Sequence, residues 1–314
     1  MGMGAFLLLY SVLIAVFAPS LLIRLTRRGN APRLGVAAWT TAIASALASW
    51  VAGAALLAVE LSHAIPASGA GIVGSCLRWL RGLAGDGVAV GVQIGLLASA
   101  SAAAAVVGWR LVRGLITMRR RTHAHARDAR LVARRVRGVD ALVLDAGERA
   151  AYCVPGRPNV IIVTSSALEA LGAHELDAVL AHERAHLNGH HPQLVAVLRV
   201  LAETLPRVAL FSAGAAEVSR LLEMCADDAA TRIHGRSALL AGLIALAGSG
   251  PAPAEAMGAT SVAVLDRAGR LAAPLPAPDR GRARARLAAA SVLLALVPAL
   301  MAAAGVMWCP PVVL

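Results

Sequence analysis

His182, Glu183 and His186 stand in the order His-Glu-x-x-His. On a helix the two histidines lie one turn apart and project from the same face. Two neutral imidazoles at that spacing can grip one Zn2+, and Glu183 is placed to take a proton from water that the metal activates. A hydrolytic zinc needs a third protein ligand and an open position. The candidate third ligand is Glu223, in Leu222-Glu223-Met224-Cys225-Ala226-Asp227. Asp227, one turn further on, is expected to accept a hydrogen bond from a ligand imidazole, that of His182, and so fix its tautomer. Read alone, Glu223 and Asp227 are an acidic helix face, and read alone the histidines are an unrelated pair. Together they make a metal centre the better reading. Other polar groups nearby carry blander expectations. His190 and His191 should be loop residues pointing elsewhere, and Asp228 should be solvated. Cys225 should face the core, and His123 and His125 should lie on a solvated helical face. His234 is a candidate for holding an oxyanion.

The elements that must position these groups are legible in the pattern. His174 to Asn188 reads as a helix stopped by Gly189. Before it come three short Val- and Ile-rich runs, Ala141–Leu144, Tyr152–Val154 and Val160–Thr164, broken by Gly and Pro, then helical sequence from Ser166 and a turn at Gly172. Asn159–Thr164 reads as an edge strand, with Val160, Ile161, Ile162 and Val163 as the candidate substrate-binding strand, because an edge can pair with an extended peptide by main-chain hydrogen bonds. After the metal-binding helix, residues 193–212 are apolar except for Arg199, Glu203 and Arg207. That stripe predicts a helix lying on the membrane or on the domain. A helix over 216–235 and a short apolar one over Ser237–Leu246 follow. Gly248 to Asp279 reads as a semi-ordered connector with a helical patch around Val262–Leu271.

Composition places this machinery at a membrane. The 314 residues are 58% apolar and only 15% charged, whereas soluble domains run nearer a quarter charged; mean hydropathy is +0.69. Four stretches lack charge for roughly 20 residues or more, the length a bilayer requires: Met1–Ile23, Leu34–Val59, Gly87–Trp109 and the run after Arg286. All 30 basic residues are arginine, giving a net charge of +12. They crowd the 24–33 link, the stretch after Trp109 and the stretch before Leu287. The 60–86 loop holds only Arg78 and Arg81 against Glu60 and Asp86. The bias of arginine toward cytoplasmic loops therefore predicts both termini outside and the chemistry inside. The expected organisation is three membrane helices in 1–109 (about 4–23, 35–59 and 88–109) with an outer loop 60–86, a cytoplasmic domain over 110–286, and a fourth membrane helix over 287–308 with an outer tail to 314. Cys76 and Cys309 both fall on the outer side and are a candidate disulfide. No basic recognition helix stands apart from the membrane-flanking arginines, so direct nucleic-acid binding is not expected.

The string from Val160 through His186, with Glu223-Met-Cys-Ala-Asp227 after it, resembles the M56 membrane metallopeptidases, which include signal transducers of the BlaR/MecR type. The resemblance implies a mainly α, multi-pass membrane protein whose cytoplasmic α+β domain is zincin-like (gluzincin). It implies Zn2+ on His182, His186 and Glu223 with Glu183 catalytic, at a bacterial plasma membrane. The implied partners are the lipid bilayer and a protein or peptide substrate such as a BlaI/MecI-like transcriptional repressor. Two departures stand out: the penicillin-binding sensor domain does not follow the fourth span, and His191 replaces an acidic residue common in relatives. The M48 metallopeptidases of the HtpX/Ste24 type share both motifs. They give the alternative expectation, membrane protein quality control. A non-catalytic zinc-binding receptor is the third.

Overall fold

The computed structural model describes residues 3–64, 87–247, 264–273 and 277–308. Cys76, Cys309, the outer loop from 65 to 86 and the tail beyond 308 lie outside the described residues, so the disulfide expectation does too. Helices α1 (Met3–Thr26), α2 (Pro32–Ala64), α3 (Gly87–Val132) and α10 (Ala277–Trp308) carry the apolar stretches. Each holds a segment long and apolar enough to cross a membrane. In lipid such a segment satisfies its backbone only as a helix. Small residues let two of them approach closely: a Cβ on Gly4 would meet the backbone of Gly53 and Leu57 within 2.8 Å. At 46 residues, α3 is roughly 70 Å long, more than twice a hydrocarbon core. Its arginine-rich C-terminal half carries His125, which stacks on Tyr152.

Between α3 and α10 the chain forms strands β1 (Arg134–Arg135), β2 (Leu142–Leu144), β3 (Ala151–Val154) and β4 (Val160–Thr164). Helices α4 (Ser165–Ala170), α5 (Ala173–Asn188), α6 (His191–Thr204), α7 (Ala209–His234) and α8 (Arg236–Ala247) follow, and a further helix, α9, covers residues 264–272. The sheet order is β1-β2-β4-β3. This corrects one expectation. β4, with Val160, Ile161, Ile162 and Val163, is not an edge: it pairs in parallel with β2 on one side and antiparallel with β3 on the other. Ile162 and Val163 have no exposed surface. A strand hydrophobic on both faces, without alternation, is a central one. The edge is β3.

Helix α5 starts with Glu175 bonding back to the Gly172 amide at 2.9 Å and ends at Gly189. Arg199 and Glu203 are exposed on α6, but Arg207 falls in the link before α7, so the stretch 193–212 is two helices and not one; Leu198, Val200 and Leu201 are buried. The first half of α7 is absorbed into a core shared with the long apolar helices, where Leu210, Phe211, Val218 and Leu221 pack with Leu22, Ala38, Trp39 and Ile43. The second half of the same helix carries Glu223 and Asp227, so the site is braced by the helices that enter the membrane.

Candidate metal centre

The cluster is held by two helices, α5 and α7. His182 Nε2 and His186 Nε2 are 3.1 Å apart. Glu223 Oε2 is 3.4 Å from the first and Oε1 is 3.5 Å from the second. One ligand atom from each of the three residues lies within 4.8 Å of the others, a set that could hold a metal ion. Two imidazoles and one carboxylate are the donor set of a catalytic zinc with one position left open. On the far side of His182, Nδ1 is 3.1 Å from Oδ1 of the wholly buried Asp227. That contact sets the Asp227 carboxylate against the second nitrogen of His182 and turns Nε2 toward His186 and Glu223.

Arg267 of α9 is a member of the site that the sequence did not single out. Its Nη2 and Nε reach the two Asp227 oxygens at 2.6 and 2.9 Å, and Nη1 reaches Glu223 Oε2 at 3.0 Å. A planar guanidinium makes this forked contact where an ammonium could not. The helical patch expected around Val262–Leu271 is α9, residues 264–272, and it is tied to α7 by Arg220–Asp266 at 3.2 Å, by Arg267, and by Arg270 on Asp228. Asp228 is therefore paired, contrary to the solvated expectation. The available signal was two arginines three apart inside a helical patch that is apolar apart from Asp266.

His191 is a further correction. The chain passes through His190 in the left-handed region (φ 52°), and α6 then begins with His191 folded back, its Nδ1 3.0 Å from His186 Nδ1. It touches a candidate ligand instead of pointing away. His234 does not approach the metal-binding face; it lines a different cavity beyond α5. Cys225 is buried, as expected.

Glu183 lines a cavity of about 350 Å³ with His182, His186, Glu223, Arg267 and the edge-strand residue Cys153. Burial raises its carboxyl above the ordinary range, only partly countered by the positive charge on His182. A carboxylate so raised is better matched to proton transfer near neutral pH. Burial also pushes the Cys153 thiol up to about 12, and the Glu183 carboxylate adds to it, which makes that thiol inert. For His182, burial opposes protonation, but hydrogen bonds to Asp227 and Glu223 outweigh it and hold the imidazole at about 9. His186 lacks such support; burial takes it down to about 4 against the pull of Glu223. Burial would raise both Glu223 and Asp227, yet the His182 hydrogen bond and the Arg267 guanidinium bring each down to about 2.

No curated protein and no solved structure matches the chain. Residues 118–273, the stretch that runs from the arginine-rich half of α3 through α9 and holds every member of the site, match Peptidase family M48, a similarity that supports a zinc metallopeptidase without reaching the M56 assignment.

Proposed function

We propose that the chain is a membrane-embedded zinc endopeptidase of the HtpX/Ste24-like kind, cutting peptide bonds in membrane proteins or in segments that emerge beside them. The observation that carries this is the convergence of His182, His186, Glu223 and Glu183 on one cavity beside a free sheet edge. The match to Peptidase family M48 favours this reading over M56 signalling, for which a repressor substrate rests on resemblance alone. Four membrane-length helices supply the anchoring. The arginine distribution puts the site on the cytoplasmic side, with both termini outside.

His182, His186 and Glu223 would hold the zinc, which would supply the Lewis acidity that makes a water acidic and polarises a carbonyl. Glu183 accepts the proton of the attacking water and delivers it to the leaving amine. Burial raises its proton affinity, the direction that favours taking up this proton. Asp227 and Arg267 keep the His182 ring and the Glu223 carboxylate in place. The substrate chain lies extended along β3, whose outer edge is unpaired among the described strands and whose Ala151, Tyr152 and Cys153 line the same cavity.

The test is cleavage of fluorogenic casein and of an unfolded membrane protein by the purified full chain reconstituted with zinc. Wild type should cut both, and Glu183→Gln should cut neither while keeping its zinc. Full cleavage by Glu183→Gln would sink the proposal.

A further inference from the structure

The flank of α5 turned away from the imidazoles borders a separate cavity of about 710 Å³. Ala181, Ala185 and Asn188 are its wall on α5. Four basic side chains from four elements point to it: Arg33 of α2, Arg184 of α5, His191 of α6 and His234 of α7. No carboxylate is among its lining residues. Arg184 is paired with Asp140, but Arg33 forms no ion pair with any described residue. Arg33 and His191 reach this one cavity from different elements. Helices α2 and α6 both open onto the cavity by their first turns, at Arg33 and His191, which adds positive potential. The remaining lining is apolar, with Val36, Leu194, Leu222 and Ile233.

Position decides what such a cavity suits. Arg33 is the second residue of a membrane-length helix, Pro32–Val59. Arg27 and Arg28 stand beside it in the link from α1. This is the depth of lipid headgroups, and Val36, one turn further along α2, leads from Arg33 into hydrocarbon. A free phosphate would use the basic groups and leave the apolar wall uncovered. We propose that this cavity binds one anionic phospholipid, its phosphate held by Arg33, His191 and His234 and its acyl chain laid along Val36 and Leu194. Because His191 also touches His186, the lipid sits one side chain from the candidate metal, and its presence fixes the ring that His186 leans on.

The inference rests on the membrane reading above, and the experiment separates the two. The purified full chain is reconstituted into phosphatidylcholine vesicles with or without phosphatidylglycerol, floated, extracted and weighed by native mass spectrometry. Wild type should keep one phosphatidylglycerol in preference to phosphatidylcholine. Arg33→Ala should lower that retention about fivefold, the effect of one basic group near a lipid surface, and His234→Ala should lower it as well. Arg33→Lys should retain most of it, which guards against misfolding as the explanation. Equal retention of both lipids in floated protein, or undiminished retention in Arg33→Ala, overturns the proposal alone. Displacement of phosphatidylglycerol by millimolar inorganic phosphate also overturns it, in favour of a free-anion site. Protein that does not float with vesicles overturns the membrane reading as well.

Discussion

Oδ1 of Asp227 lies 3.1 Å from Nδ1 of His182, with the aspartate wholly buried and its two oxygens forked onto Arg267. The pair would fix which imidazole nitrogen faces a bound metal. Removing such a partner typically costs 10- to 100-fold in metal affinity. Asp227→Asn is expected to weaken zinc binding by about that factor, and Asp227→Ala by at least as much, measured by competition with a chromophoric chelator. An unchanged zinc affinity in both variants would show that His182 needs no such support.

Arg267 should matter for the same reason, by a different route. Without its guanidinium, Glu223 and Asp227 face each other with less compensation, and both carboxyls should rise from about 2. Arg267→Ala is expected to lower zinc affinity about tenfold, most strongly in acid. Arg267→Lys should rescue only part of this, since an ammonium cannot fork across two carboxylates.

Proton release on zinc uptake gives a sharper check. At pH 7.5 in the metal-free protein, His186 (about 4) and Glu223 (about 2) are already deprotonated, while His182 (about 9) carries a proton. Metal ligands must bind without their protons. Zinc should therefore displace close to one proton. Apparent affinity should rise about tenfold per pH unit between pH 5 and 8 and level off above 9. The measurement is calorimetric titration in buffers of different ionisation enthalpy; release of no proton, or of two, contradicts the assignment.

The central strand β4 and the edge strand β3 should respond to proline in opposite ways. Ile162 is buried in β4 with partners on both sides, so Ile162→Pro breaks a ladder and should abolish folding. Ala151 begins the edge strand β3, a place where proline is tolerated. Ala151→Pro should keep fold and zinc and raise KM several-fold for an extended peptide. A protein whose cleavage is insensitive to proline at Ala151, and to a second at Cys153, does not use this edge.

The residue types and spacings alone determined the helix that carries His182 and His186, its stop at Gly189, the one-turn spacing of Glu223 and Asp227, and four membrane-length apolar helices, because all of these are local: one helical turn relates each pair, and span length is a count along the chain. Only the tertiary structure decided which strand is the edge, because short apolar runs do not say who their neighbours are. It also decided the place of Arg267, more than 80 positions from His182, and of His191, whose return to His186 depends on one left-handed residue. A guanidinium in a loop-like stretch reads as solvated until the fold supplies two buried carboxylates, and burial is a property of the packed chain.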